Sequence, residues 1–474
     1  MKIIKQMLGI TTKEEANVIK KYFLWIPLIT IVNKRTKRKI YLLGIRLFNI
    51  KKSNKEKETI IQYRYEAKNE IDARLTIYES LQKYFSLKHD GKVAVIGVLP
   101  PENTGIALFN ASLFANRKYF DCFTNTYSLS KLFYAYSFNN SNDIFNIYTT
   151  GIYKDLDLSS KYKSKIFVLG NSYHNVPYLQ LATTEKDKKN SWLHIHEANL
   201  LSLFFNYLNK DIKALHKWIS VCYPEKYDLL KHFKTWETLA ANAKYHGLYG
   251  VRLIKTATGI NNFIVNNDVC EKIVLNEIND DDLVVKKLFL PFPDLKNVKP
   301  YAGLPNDCIY IASWGIPGGS KLTHLVADAV CLLNEKFNIP AKLLLGGYSL
   351  TNYCTYDLSE RQKANLVYFD SPSDDELFSL MKRAEISVQL REHPHGESSG
   401  PISQLFGMNK KVITNEGFID SEFEKYCYVL PIPVTAEALA LKLKKALVDN
   451  DPNYDKLVQH YSFDNLAQEL ANLS

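Results

Sequence analysis

Between Cys308 and Ile432 six apolar runs recur: "CIYIASW" (308–314), "AKLLLGG" (341–347), "NLVYFD" (365–370), "ISVQLR" (386–391), "KVITN" (411–415) and "CYVLPI" (427–432). They are too short for core helices and read as strands, most of them buried on both faces. Helical patterns lie between and after them, at about 320–336, 373–384, 400–408, 435–449 and 454–472. Strands that alternate with helices must be joined by crossovers, so this half of the chain predicts a doubly wound α/β domain with a parallel sheet.

The same alternation, less regular, precedes it. "KVAVIGVL" from Lys92, "KIFVLG" (165–170), "WLHIHE" (192–197) and "FIVNN" (263–267) read as strands with helical stretches between. "LPFPDLKNVKPYAGLP" (290–305) carries four prolines and little periodicity, and reads as the joint between two domains. A length of 474 residues with 46% apolar content supports two cores, since one core rarely organises more than about 250–300 residues. The expected organisation is an extension over 1–90, Rossmann-like domains over 91–295 and 296–452, and a closing helix over 453–474.

The net charge of +10 belongs to one end. Residues 1–60 hold fifteen Lys and Arg against four Glu, so the remaining 414 residues are close to neutral. A basic stripe along the body, as nucleic-acid binding would need, is not supported. Within the basic segment, "YFLWIPLITIV" (Tyr22–Val32) is too short to cross a bilayer, which takes about 20 residues, and no small-residue cleavage site follows it. An apolar run rimmed by lysines suits a segment lying on an anionic leaflet; a buried strand or helix pair with solvated lysines is the other reading. "KRKIYLLGIRLFNIKK" (37–52) alternates as a strand pair bent at Gly44, and 53–90 reads as a polar, then amphipathic helix. Seven cysteines are scattered without a C-x-x-C pair, which fits free thiols in a reducing cytoplasm better than disulfides or zinc.

In a doubly wound sheet the ligand sits beyond the carboxyl ends of the strands. After the first strand of the second half comes Gly315-Ile316-Pro317-Gly318-Gly319-Ser320-Lys321. After the fourth comes "REHPHGESSG", in which Gly396, Glu397, Ser398, Ser399 and Gly400 open a helix. Any one such loop could need Gly and Ser only to turn and cap. Together they describe a rim where backbone N–H groups approach an anion at helix N-termini with a cation nearby, which suits a diphosphate. Glu397 could then accept hydrogen bonds from sugar hydroxyls. In the first half, "GVLPPENTGIALFN" (97–110) has a matching form, with Thr104 as a helix cap and Gly105 as bare backbone at the helix mouth.

These stretches resemble the family 4 retaining glycosyltransferases of GT-B fold that build bacterial surface polysaccharides such as lipopolysaccharide and capsule. "VLPPENTGIALFN" is similar to the family's glycine loop, and "VLGNSYHNVPYL" (168–179) with "LHIHEANL" (193–200) to its G-N-S-x-x-H and L-H-D stretches. "ASWGIPGGSKLTHLVADAV" (312–330) resembles the donor-diphosphate loop and helix, and "LREHPHGESSGPISQLFGMNKKVIT" (390–414) resembles a subgroup signature. The likeness covers roughly 92–450. It departs from the family where Gln404 stands in place of a second glutamate, where Ile316 and Pro317 stand in place of an arginine, and where Asn409 and Lys411 replace Gly and Pro.

The resemblance implies two Rossmann-like domains facing each other across a cleft, the first for the acceptor and the second for the donor. It implies transfer of a sugar, with retention, from a nucleotide-diphosphate sugar to a glycan or glycolipid, with no metal and no cofactor besides that donor. His196 and Glu397 are the expected catalytic residues. Gly105, Gly315, Lys321, Gly396, Ser398, Ser399 and Gly400 are expected to hold the donor. His194 and His196 share one strand face and could otherwise be plain core histidines. Asp155-Leu156-Asp157, a D-x-D, reads as a surface loop. A cytoplasmic protein peripheral on the inner membrane through residues 1–60 is expected. A nucleotide-sugar epimerase of similar architecture and a non-catalytic scaffold of a polysaccharide assembly complex are the alternatives.

Overall fold

A computed structural model describes five strands between residues 10 and 50, and residues 89–473 apart from 101, 103–104, 117 and 126–146. The helix expected over 53–90 falls, but for its last two residues, outside the described residues, as does Thr104.

The five strands are β1 (Ile10–Glu15), β2 (Val18–Phe23), β3 (Ile26–Lys34), β4 (Lys37–Leu42) and β5 (Ile45–Ile50). They form an antiparallel meander in chain order. The strand pair expected over 37–52 is present as β4 and β5. The Tyr22–Val32 run is not one segment: it is shared between β2 and β3.

The next strands are β6 (His89–Ile96), β7 (Phe120–Thr124), β8 (Ile147–Thr149), β9 (Tyr162–Leu169), β10 (Ser191–Ile195), β11 (Asn262–Val265) and β12 (Val284–Lys287). They make one sheet in the order β12-β11-β10-β9-β6-β7-β8. The pairs β6–β7, β7–β8, β6–β9, β10–β11 and β11–β12 are parallel. Continuous burial along Phe120–Thr124 and Ser191–Ile195 is what strands covered on both faces require.

Residues 288–308 contain no helix or strand. The last sheet follows with β13 (Ile309–Trp314), β14 (Ala341–Gly347), β15 (Leu366–Asp370), β16 (Ile386–Val388), β17 (Lys411–Asn415) and β18 (Tyr428–Leu430). Its order is β15-β14-β13-β16-β17-β18, all parallel. The order is that of a Rossmann sheet, and the chain reverses its direction of travel between β13 and β16.

Side chains alternate across this sheet and build a core on each face. Ile311, Leu343 and Leu345 pack with the helices Thr323–Phe337 and Ala436–Val448. Tyr310, Ala312, Trp314 and Leu344 pack with the helices Asp374–Arg383 and Gly400–Gly407. The helix expected over 454–472 is broken in two, Asp455–His460 and Phe463–Ala471. Asn409 adopts φ 55°, a left-handed conformation that asparagine tolerates better than most side chains. Its Oδ1 accepts the Tyr454 N–H at 2.7 Å, so this departure from glycine holds the C-terminal helices to the sheet.

Candidate functional site

The reversal between β13 and β16 makes the loops that follow those two strands the place where such a sheet binds its ligand, and Gly315, Lys321, Gly396, Ser398, Ser399 and Gly400, though not Gly105, belong to these loops or to the helix starts they lead into. Gly315 ends β13 with φ 91°. A Cβ on Gly315 would lie 2.8 Å from Lys321 Nζ, so the ammonium rests directly over this bare backbone. Gly347 is constrained from the other side, since its Cβ would meet the Gly315 carbonyl oxygen at 2.4 Å. Lys321 belongs to a 3₁₀ turn, Gly319–Lys321, just before the helix Thr323–Phe337.

The loop after β16 reaches this turn through a backbone hydrogen bond from Glu392 N to Ser320 O, 2.9 Å. It is anchored to β17 as well. Arg391 N donates to Asn415 Oδ1 at 2.8 Å, and Asn415 Nδ2 donates to Arg391 O at 3.0 Å. The Arg391 guanidinium lies over the Phe418 ring, 4.4 Å from its centroid. Its Nε donates to Glu397 Oε1 at 3.0 Å, while Glu397 Oε2 accepts the His395 N–H at 2.6 Å.

Two cations therefore share one partly buried place. Burial first, and repulsion from Arg391 second, push the Lys321 ammonium down to about 8. Among the described residues its Nζ has no hydrogen-bond partner. Burial also lowers Arg391, against the pull of Glu397 and Glu197. A cation held in this state is poised to gain from an anion.

The segment from Gly396 to Gly400 is held by Asn267. Its Nδ2 donates to Gly396 O at 2.7 Å and to Ser398 Oγ at 3.0 Å, while its Oδ1 caps the helix Asp268–Glu277 through Cys270 N. Gly396 has φ 77°, and a Cβ there would sit 2.5 Å from Cys270 N and Cα. Strain and collision act together at this residue. Gly396→Ala is expected to cost about 2–3 kcal/mol, read as a lower denaturant midpoint at unchanged m; a loss under about 0.5 kcal/mol would contradict this packing. Ser399 is the N-cap of the helix Gly400–Gly407, accepting the Ile402 N–H at 3.3 Å. Gly400 opens that helix, and a Cβ there would meet nothing within 4 Å. Steric need thus explains Gly396 but not Gly400.

His196 follows β10 rather than lying in it, because the strand ends at Ile195. Its N–H donates to Leu169 O at 3.1 Å, which ties it to the end of β9. Burial, then the neighbouring His194, push its imidazole down to about 3, so it is neutral at physiological pH. The two rings are 5.0 Å apart, and His194 Nε2 is 3.2 Å from Asn266 Oδ1. Gly105 opens the helix Gly105–Leu113 behind β6. Asp157 of the D-x-D is exposed and pairs with Lys186 at 2.8 Å.

Glu197, the residue after His196, was not among the expected site residues. Burial, and then the charge of Glu397, push its carboxyl up to about 7, against Asn171 N–H and Arg391. Its neighbour Ala198 donates its N–H to His395 O at 3.1 Å, which holds the β10 loop to the β16 loop. The acidic residue after "HIH" was the only signal for it in the sequence. Nothing local announces that Arg391 and Glu397 would be its electrostatic neighbours.

No protein-family model matches the chain, and no curated protein matches it in sequence. Solved structures do match. Sucrose-phosphate synthase from Thermosynechococcus elongatus aligns with TM-score 0.52 at 13% identity, over 81% of this chain and 98% of its own. HepE from Anabaena, in complex with UDP and glucose, aligns with TM-score 0.49 at 12% identity, over 80% and 98%. WaaG, a glycosyltransferase involved in lipopolysaccharide biosynthesis, aligns with TM-score 0.45 at 12% identity, over 81% and 95%. At such identities the likeness speaks for architecture. With the strand orders above, the chain has the GT-B fold of two Rossmann-like α/β domains.

Proposed function

We propose that this protein is a glycosyltransferase that moves a hexosyl group from a nucleotide-diphosphate sugar to a glycan or glycolipid acceptor, with retention. Its setting is the assembly of a bacterial surface polysaccharide, lipopolysaccharide or capsule. The observation that carries the reading is the unpaired Lys321 ammonium over Gly315, beside Arg391, at the switch point of a Rossmann sheet. The resemblance of 92–450 to family 4 enzymes and the shared GT-B fold support it.

In this reading the bond between the sugar's anomeric carbon and the diphosphate oxygen breaks, the acceptor hydroxyl oxygen bonds to that carbon and gives its proton to the departing diphosphate, and negative charge grows on the leaving phosphate as the first bond opens. Lys321 and the N-terminus of the helix Gly400–Gly407 stabilise that charge from fixed positions, so little reorganisation is needed. Arg391 supplies the second cation that Ile316 and Pro317 do not. It comes from the next loop, and Phe418, Asn415 and Glu397 hold it in place. Gly315, Gly396, Ser398, Ser399 and Gly400 form the wall against which the diphosphate lies. Glu397 orients Arg391 and offers its remaining lone pairs to sugar hydroxyls. Neutral His196 and the near-neutral carboxyl of Glu197 receive the sugar or the acceptor hydroxyl. No cofactor beyond the donor takes part.

The test is thermal stabilisation of the purified protein by UDP, GDP, ADP, dTDP and CMP at equal concentration. One diphosphate should raise Tm, since a ligand at about 100 times its Kd stabilises by about 2.7 kcal/mol. Response to none of the five would overturn the donor-site reading and leave a scaffold in its place. Response without transfer of sugar to any glycan, but with epimerisation of the free donor, would instead favour the epimerase.

A further inference from the structure

The stretch "KYHGLYG" (244–250) has no part in the donor site. Lys244, Tyr245 and His246 form a single 3₁₀ turn that ends at Gly247, φ 60°. The turn is held from several sides. Leu248 N donates to Ala243 O at 2.9 Å, and Lys226 Nζ donates to Gly247 O at 2.5 Å. Tyr249 N donates to Glu277 Oε1, and Leu200 N to Tyr249 O, both at 2.7 Å. His246 faces the Phe233 ring, whereas Tyr245 and Tyr249 meet the loop after β16. The Tyr245 ring is 6.0 Å from that of His393, and the Tyr249 ring 5.7 Å from that of His395. Lys244 Nζ lies over the Tyr245 ring, 5.0 Å from its centroid.

Three nitrogen bases thus gather against two aromatic rings, and acids do little to match them. Among the described residues Lys244 has no hydrogen-bond or ion-pair partner. His393 has only Glu392, 3.9 Å from its Nε2. Glu397 acts on His395 by charge, but its oxygens are taken by Arg391 Nε and by the His395 backbone N–H. His395 Nδ1 is enclosed without a partner, which leaves Nε2 as the ring atom a ligand can reach. Burial lowers the His395 imidazole, Glu397 opposes that, and Lys244 and then His393 lower it further. Crowded bases with little counter-charge gain from an anion, which offsets their repulsion and satisfies their donors.

We propose that Lys244, His393 and His395, with Tyr245 and Tyr249 beside them, bind an oxyanion carried by a sugar: a phosphate ester or a uronate carboxylate. The N–H groups take the oxygens, and the tyrosine rings offer an apolar face to the C–H groups of the sugar. The turn and the loop are both fixed by backbone hydrogen bonds, so the site is formed before the ligand arrives. His395 is tied through its own backbone to Glu397, which places the oxyanion next to the carboxylate expected to meet sugar hydroxyls. That the charged sugar is the acceptor rests on the glycosyltransferase reading; the anion site itself does not.

The experiment is calorimetric titration of the full chain with glucose 6-phosphate, glucuronate and glucose. At least one of the two anionic sugars should bind about tenfold or more tighter than glucose, the size of one charge-assisted hydrogen bond. Which of them binds tighter tells a phosphate from a carboxylate. Lys244→Met and His395→Gln should each weaken that binding about tenfold. Lys244→Arg, which keeps the charge, and Lys321→Met, which removes the donor-site cation, should each leave it within about threefold. Wild-type affinity should rise as pH falls from about 8 to about 6, because a bound anion favours the protonated form of His395. The rise should shrink in His395→Gln, where any titration of the phosphate itself is still present. Equal binding of all three sugars, binding of none, or a loss in Lys321→Met with none in Lys244→Met would overturn the proposal. Nucleotide-induced stabilisation should be unchanged in Lys244→Met. Nucleotide binding without sugar-anion binding would remove this site alone, and the reverse would remove the donor site alone.

Discussion

Replacing Lys321 by methionine should weaken binding of the stabilising nucleoside diphosphate at least 30-fold and yet make the unliganded protein more stable. Loss of a buried charge partner typically costs 2–5 kcal/mol in a complex, and 2 kcal/mol is about 30-fold. The gain in stability comes from the same charge. A lysine moved from 10.5 to about 8 binds a proton less readily in the folded chain than in the unfolded one. Below about pH 8 both states hold the proton and the folded state bears the full cost. Between about pH 8 and 10.5 the unfolded chain holds more protons, so stability rises with pH through that window as the cost is relieved. The difference is about 3 kcal/mol at most, and contact with solvent leaves about 1–2. Lys321→Met removes it at pH 7, and its unfolding free energy should lose that rise above pH 8. In the wild type, diphosphate affinity should fall as pH rises through about 8, because the free ammonium is then lost. Lys321→Arg should keep its affinity across that range. A methionine variant that is less stable and binds diphosphate as before would remove Lys321 from the site.

Gly407→Ala should be the most damaging small substitution in the helix that carries Ser399 and Gly400. In an exposed helix the same change would stabilise by about 1 kcal/mol, because alanine is the better helix former. Here a Cβ would lie 1.8 Å from the Pro293 carbonyl oxygen, which is backbone and cannot swing away. The segment after β12 is bound to this helix at two further points. Leu295 N donates to Gly407 O at 3.0 Å, and Ser403 Oγ donates to Pro291 O at 2.5 Å. Collision with a doubly tethered strand of backbone should outweigh the propensity gain and destabilise by about 3 kcal/mol. Chemical denaturation would show it as a lower midpoint. A variant as stable as the wild type would mean that the 291–295 segment yields at no cost.

How far the sequence reaches differs between fold and site. The strands of the second half were legible because burial on both faces leaves a local mark: "AKLLLGG" and "KVITN" are the strands Ala341–Gly347 and Lys411–Asn415 to the residue. The helix Gly400–Gly407 was legible for a similar reason, with Ser399, Gly400 and Pro401 at its start. Near the chain ends local pattern misled. The 454–472 periodicity runs through a break that Tyr461 fills by packing on Phe289, Phe292 and Phe423, contacts made from far along the chain. The Tyr22–Val32 run is one apolar stretch in the sequence, but strand pairing divides it between β2 and β3.

By itself the sequence determined that two α/β domains would form, and that glycines, serines and one lysine would gather at the strand ends of the second. Periodicity and turn chemistry act over a few residues, so they can be read in order. Only the tertiary structure decided which charges would be neighbours. Lys321 and Arg391 are seventy residues apart in the chain and meet because β13 and β16 are adjacent in the sheet. Glu197 and Glu397, two hundred apart, come within electrostatic reach across two loops. A charge acts through space with little regard for chain order, so its partners, and the protonation that follows from them, appear only once the chain is folded.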